Sequence, residues 1–331
     1  MTATNLKAYF DSKGNAVLTP IVARAGGTLI LDVPVVSDQA GYVYHVDASV
    51  GADTNDGLTW GTAFKTIQAA VTASETARLL QTNVDIRNTI YIMGDASSSS
   101  YSNVGPITSC PNYTNIIGIG ANPRGNGVGI ARISGIVANT PAMTGTSTGG
   151  EMRGCYFENI QFNANGTSGY VVSLIKCFRN TFVNCSFMQD NVAGSPLAAF
   201  LVTSLCGGNT FDSCLFGSDT QTFAYGFKMT GTKFNNNLFV NNVIDGSTAA
   251  VYIASTVAAD DWTLWDNNKI GGFDGTCAIG VDDDNSRGYS MYTNNYVVAT
   301  DCFDLDTRGT YRTVHNHIIQ SGSAGIEASG S

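Results

Sequence analysis

The sequence predicts an all-β solenoid, a rod of strand-rich coils stacked along one axis, and three observations carry that prediction. An eight-residue block recurs seven times in succession over the second half of the chain. Each copy follows a short alternating apolar run. The composition is neutral-polar: charged residues make up only 13% of 331, while Gly reaches 37 and hydrophobic residues 43%, so a large core can form without the Glu, Lys and Leu of helical proteins. A β-rich unit of about 26 residues cannot bury its own apolar face, and stacking equivalent units in register buries it.

Taken from the N-terminus, Val17-Leu-Thr-Pro-Ile-Val22 and Thr28-Leu-Ile-Leu-Asp-Val33 flank Ala25-Gly26-Gly27 and read as a β-hairpin inside residues 1–40. Residues 41–87 lead into the solenoid. There Asp53-Thr-Asn55-Asp56-Gly57 reads as a turn, because the bidentate Glu of a calcium loop is missing. Ala63, Ile67, Ala70 and Val71 share one face of a capping helix near residues 63–72. Residues 88–331 are the coils, opening with Thr89-Ile-Tyr-Ile-Met93 and Asn115-Ile-Ile-Gly-Ile119. About nine coils at one strand spacing each would give a rod of roughly 45 Å.

The recurring block runs polar, x, aromatic, x, Asn, Asn or Cys, x, large apolar. Its copies are Cys155–Phe162, Asn180–Phe187, Asn209–Phe216, Asn237–Ile244, Thr263–Ile270, Ser290–Val297 and Arg312–Ile319. The fifth position falls at Asn159, Asn184, Ser213, Asn241, Asn267, Asn294 and Asn316. The aromatic residue two before it and the apolar residue three after it cannot both face inward on one straight strand of period two. The Asn therefore sits at a bend, in the left-handed conformation that Asn tolerates. Stacked bends would form a ladder in which each side-chain amide bonds to the next. The core stack expected from the third position is Phe157, Phe182, Phe211, Phe239, Trp265, Tyr292 and Val314.

This pattern resembles the right-handed parallel β-helix of the pectate-lyase-like family. The lead-in, Val46-Asp47 to Gly57 followed by Trp60-Gly-Thr-Ala63-Phe64-Lys65-Thr66-Ile67-Gln68-Ala69-Ala70-Val71, is similar to that of many bacterial and phage β-helix proteins. The resemblance spans residues 42–331 and implies a single-stranded solenoid whose first coil is plugged by a helix. It speaks to fold rather than activity, since one fold hosts many chemistries.

Carboxylates are the candidate catalytic groups. Aligning Cys277 with Cys302 sets Ile279 beside Asp304, Val281 beside Asp306 and Asp283 beside Arg308. Asp282, Asp283, Asp284, Asp304 and Asp306 then cluster on neighbouring coils. Two such groups could cleave a glycosidic bond as acid and base or nucleophile. Of the polygalacturonase-like motifs, only Asp-Asp has a match, and the Asp-His and paired-Arg motifs of pectate lyases are missing. That departure speaks against classical pectinase chemistry, and the chain is expected to be a structural or adhesive protein more than an enzyme. The three His (His45, His315, His317) and the lack of any CxxC pair argue against a metal site, and no cofactor is expected. Stacked Cys177/Cys206 and Cys185/Cys214 read as free core thiols, their parallel Cβ vectors being unsuited to bridging.

A net charge of −9 without a Lys/Arg cluster excludes nucleic-acid and anionic-membrane binding, and no apolar run is long enough to span a bilayer. A β-helix behind a forty-residue hairpin, with no visible secretory signal, resembles bacteriophage virion proteins. That resemblance implies a homotrimeric spike, fibre or decoration subunit, held to other virion proteins through residues 1–40 and able to bind host-surface polysaccharide. A carbohydrate-active enzyme and a bacterial surface adhesin, the latter extracellular, are the alternatives.

Overall fold

The computed structural model describes residues 8–10, 16–18, 41–80, 87–94, 104–125, 129–135, 140–145, 151–164, 169–189, 197–217, 223–255, 262–272, 276–284, 289–306, 312–315, 317–324 and 327–329. The chain is a right-handed parallel β-solenoid with three faces. The first face carries Tyr170–Phe178, Ala198–Gly207, Tyr225–Met229, Ala249–Ile253, Ile279–Asp283 and the later part of Tyr296–Asp306. The second is a ten-stranded sheet running from Val43–Val46 to Arg312–His315. The third carries Gln161–Ala164, Ser186–Gln189, Leu215–Phe216, Val243–Asp245, Lys269–Gly271 and the start of Tyr296–Asp306. First and third faces belong to one 17-stranded sheet, joined where Tyr296–Asp306 pairs with Lys269–Gly271 at one end and Ile279–Asp283 at the other.

The solenoid has about six turns. The expected nine is corrected on this point. Earlier coils supply full rungs to the second face, such as Asn88–Met93 and Thr114–Ile119, but elsewhere hold a helix and short strands such as Met143–Thr144. The helix α1, Ile67–Leu80, starts later and runs longer than the sequence suggested. It buries Ile67, Ala70, Val71 and Ser74 against the opening rungs, and Asn88 Nδ2 donates to the Ser74 carbonyl at 2.9 Å.

In the N-terminal arm, Ala8–Phe10 pairs antiparallel with Ala16–Leu18. Val17 and Leu18 thus pair upstream, not across Ala25-Gly26-Gly27. The remainder of that expected hairpin lies outside the described residues.

The block repeat becomes columns of like side chains. Phe157, Phe182, Phe211, Phe239, Trp265 and Tyr292 are buried in one column, with ring centroids 4.8 Å apart for Phe157–Phe182, 4.9 Å for Phe182–Phe211 and 4.7 Å for Phe211–Phe239. Rung spacing of about 4.8 Å sets this offset-stacked distance. A second column, Phe162, Phe187 and Phe216, meets the first edge-on, which suits the positive rim of one ring to the negative face of the other. Val314, at the end of the first column, is only partly buried, a correction to the expectation, because no described aromatic caps it from beyond.

The fifth position adopts the left-handed bend, with φ of 56° at Asn159, 47° at Asn184, 55° at Ser213, 58° at Asn241, 53° at Asn267 and 54° at Asn294; Asn316 lies outside the described residues. These side chains point outward, and Asn241, Asn267 and Asn294 are exposed. The interior ladder is the next residue: Asn242, Asn268 and Asn295 are buried. Asn268 Oδ1 accepts from Asn242 N (2.9 Å) and Asn242 Nδ2 (3.0 Å), while Asn268 Nδ2 donates to Phe239 O and Asn295 Oδ1, both at 3.0 Å. Its four hydrogen-bonding sites are thereby filled. A second buried ladder, Asn180, Asn209 and Asn237, stands at the first position of the block, before the aromatic residue.

All eight cysteines are free and buried. Burial pushes the Cys155 thiol up to about 12, and Cys177 rises for the same reason with Cys206 stacked on it. These are apolar fillers rather than nucleophiles.

Two stability measurements test this packing. Phe211→Ala should cost about 3–5 kcal/mol by chemical denaturation, since hydrogen-bonded rungs above and below cannot collapse into the void. Asn268→Leu should cost about 1–3 kcal/mol or more by orphaning its partners, and Asn267→Leu, one residue away but exposed, should cost distinctly less.

Candidate functional site

On the first face, side chains alternate along Ile279–Asp283. Val281 and Asp283 point into the core, while Asp282 and the following Asp284 point out. Parallel pairing stacks the outward positions of successive coils, so that Lys228 pairs with Tyr252, Tyr252 with Asp282, and Asp282 with Asp304. A row of cation, aromatic ring and two carboxylates therefore lies along the rod at one residue per rung. Asp304 pairs onward with Glu327.

The sequence brought Asp282, Asp284 and Asp304 together correctly in space but in the wrong register. Asp304 lies beside Asp282, not Ile279, and Val281 lies beside Phe303. Cys277 precedes its strand whereas Cys302 lies within one, so aligning them imposes an offset three residues too large. An odd slip exchanges inside for outside. Asp283 is corrected most: it is fully buried, and its Oδ2 accepts the Tyr292 hydroxyl at 2.9 Å. It therefore satisfies a core phenol and cannot meet a substrate. Asp306 pairs with Ser329, not Val281, and Arg308 lies outside the described residues.

The electrostatics single out Asp282. Burial raises its carboxyl, and the charges of Asp284, Asp304 and Asp283 add to the effect, bringing it to about 7. A carboxylic acid half-protonated at neutral pH beside other carboxylates is poised to donate a proton. Tyr252 is also shifted up, first by burial and then by Asp282 and Asp284. Lys228 is shifted down by burial. Its Nζ stands 3.7 Å from the Tyr225 ring centroid and 5.2 Å from that of Tyr252. Tyr225 and Tyr252 are themselves 5.4 Å apart. This aromatic pair, missed in the sequence, borders the acids, its rings tilted to each other by 51°. Its signal was the outward spacing of Tyr225, Lys228 and Tyr252, visible once the register was known. Among the described residues no group of three or more His, Cys, Asp or Glu is arranged to hold a metal ion.

Comparison with known proteins bears on the fold. A solved structure entitled "Crystal structure of pectate lyase Pel9A" superposes with a TM-score of 0.54 at 13% identity, over 88% of this chain and 79% of that one. The fold is that of a pectate-lyase-like parallel β-helix. No family model and no curated protein matches the chain. The expectation of a structural or adhesive protein rather than an enzyme is corrected on this point: the fold is one that a known enzyme, a pectate lyase, carries, so it does not favour a protein without activity. No helix among the described residues is long and apolar enough to cross a membrane.

The raised Asp282 has a consequence for stability. Its folded pKa lies above the ordinary carboxylate value, so its stabilising contribution is present at low pH and lost as pH rises through about 7. Asp282→Asn should therefore melt at a higher temperature than the wild type at pH 8. The difference should vanish at pH values where both side chains are neutral, as differential scanning calorimetry can check.

Proposed function

We propose that the chain cleaves a polysaccharide laid along the first face, with Asp282 protonating the glycosidic oxygen and Asp304 acting on the anomeric carbon. The observation that carries this reading is the Asp282 carboxyl at about 7 beside a carboxylate one rung away. Rungs are spaced by about 4.8 Å, close to the roughly 5–5.5 Å between carboxyl groups in glycosidases that retain anomeric configuration. Proton transfer from Asp282 stabilises the departing alkoxide, and Asp304 supplies negative charge to the oxocarbenium-like carbon or bonds to it. Water then releases the sugar, with Asp282 taking the proton back. The Tyr225–Tyr252 pair offers neighbouring sugar rings a stacking surface.

A second reading, eliminative cleavage of a uronate polymer, is favoured by Lys228 on the same row. Its lowered pKa makes the free amine more accessible as a base, and the likeness to a pectate lyase supports considering it. The two readings part on products: hydrolysis yields saturated reducing ends, whereas elimination yields an unsaturated uronate that absorbs in the ultraviolet.

The virion setting remains part of the proposal. In it a rod, trimeric or single, would meet host-surface polysaccharide while residues 1–40 contact another virion protein. What supports this arm is that Ala8–Phe10 and Ala16–Leu18 form a sheet separate from those of the solenoid. Deleting residues 1–40 should leave the melting temperature of the rod unchanged but abolish incorporation into particles, as read by mass spectrometry of purified virions.

Reducing-end release from a panel of bacterial capsular and plant polysaccharides tests the main reading. Asp282→Asn should lower the rate about 10²–10⁴-fold, as expected for loss of a general acid. The wild-type rate should fall as pH rises through about 7, where Asp282 loses its proton. An Asp282→Asn variant of unchanged activity would refute the assignment.

A further inference from the structure

A second built site lies away from the acidic row, where the second face bends into the third. A cavity of about 400 Å³ opens there, lined by Arg124, Asn241, Asn267, Lys269, Asn294 and Tyr296 among others. That size falls within the range of small-molecule sites. Its floor is the exposed row of bend amides, and its side is the outward row Val243, Lys269 and Tyr296, which parallel pairing stacks on successive coils.

Arg124 is held in place with unusual care. It belongs to the loop after Thr114–Ile119, and the residues on either side of it are pinned by buried side chains. Gln161 Nε2 donates to the carbonyls of Pro123 (2.7 Å) and Gly125 (3.0 Å), and Ser186 Oγ donates to Pro123 at 2.6 Å. Both Gln161 and Ser186 are fully buried. The guanidinium reaches across to the Ser213 carbonyl through Nη2. Its Nε is buried with no hydrogen-bond partner, an arrangement that leaves a desolvated donor without an acceptor. Along the floor, Asn267 Nδ2 donates to Asn241 Oδ1 at 2.8 Å, but the row then breaks, because Asn294 Nδ2 turns to Asp266 Oδ1 at 2.8 Å. Asn267 and Lys269 both line the cavity and are exposed, and among the described residues no salt bridge engages Lys269.

The site therefore offers a planar cation whose loop is pinned, an exposed second cation, amide groups with part of their hydrogen-bonding capacity in use, and one aromatic ring. Guanidinium and ammonium groups select an anionic oxygen pair, amides suit hydroxyl groups, and a ring face suits the apolar side of a pyranose. We propose that this cavity is a glycan-anchoring site that holds a sugar unit bearing a carboxylate. The carboxylate sits between Arg124 and Lys269, and the ring hydroxyls meet Asn241 and Asn267. No bond is made or broken there. The proposal is independent of cleavage at the first face, since none of these residues lies on the Asp282 row.

Calorimetric titration of the full chain with two matched pairs tests it: sialyllactose against lactose, and glucuronate against glucose. The acidic member of each pair should bind at least about tenfold more tightly than the neutral one, the ratio set by a charge-assisted hydrogen bond, and its affinity should fall with salt. Lys269→Met, an exposed change that leaves the loop untouched, should weaken binding of the acidic sugars, and Arg124→Met should weaken it further. Asp282→Asn should leave the preference for the acidic sugars at this cavity unchanged while lowering cleavage at the first face. Failure of both acidic sugars to bind at millimolar concentration, equal binding of acidic and neutral members, or affinity unaltered in both cavity variants would overturn the proposal.

Discussion

In-register parallel stacking of coils is the constraint from which the rest of this molecule follows. Once Phe182 lies between Phe157 and Phe211, backbone hydrogen bonding fixes every other position of the rung against its equivalent above and below. Like side chains then meet like. For rings this gives offset stacking, and for buried amides it gives ladders in which each donor finds the next acceptor. A carboxylate stacked on a carboxylate repels instead. The chain tolerates that at Asp282 and Asp304, where burial first, and then the charges of Asp284 and Asp304, raise the Asp282 pKa while the rung stays paired.

The same constraint divides the labour between inside and outside. Period-two alternation sends Asp283 to the Tyr292 hydroxyl and Asp282 to solvent. Two adjacent residues of one type thus have unrelated roles. The bends work similarly: Asn267 and Asn268 are neighbours in sequence, yet one lines an open cavity while the other fills all its hydrogen-bonding capacity in the core. Outward rows along the rod form linear arrays at rung spacing, a geometry suited to an extended polymer, and the first-face row offers basic, aromatic and acidic groups in sequence.

The cost of such regularity falls where it is interrupted. Ser213 replaces Asn in the bend row, and Asp212 takes over as acceptor for the Asn241 amide at 3.2 Å. Arg124 reaches in from a distant loop to the Ser213 carbonyl at the same break.

The sequence by itself determined the architecture. A block repeated seven times, with an aromatic residue two before an Asn, requires a stacked coil with a left-handed bend, and the Phe157–Tyr292 column was legible because periodicity is a local property of the chain. It also determined that carboxylates would gather near residues 282–304. Only the tertiary structure decided which of them share a face. Register between coils is set by core packing of Val281 on Phe303 and Asp283 on Leu305 across a loop of variable length, and no spacing within one coil reports it. The interior amide ladder was misplaced by one residue for the same reason: both Asn of each pair are equally polar, and only the direction of the bend decides which enters the core. The Arg124 cavity was beyond the sequence altogether, since it joins a loop near residue 124 to rungs more than a hundred residues later through contacts that no local pattern encodes.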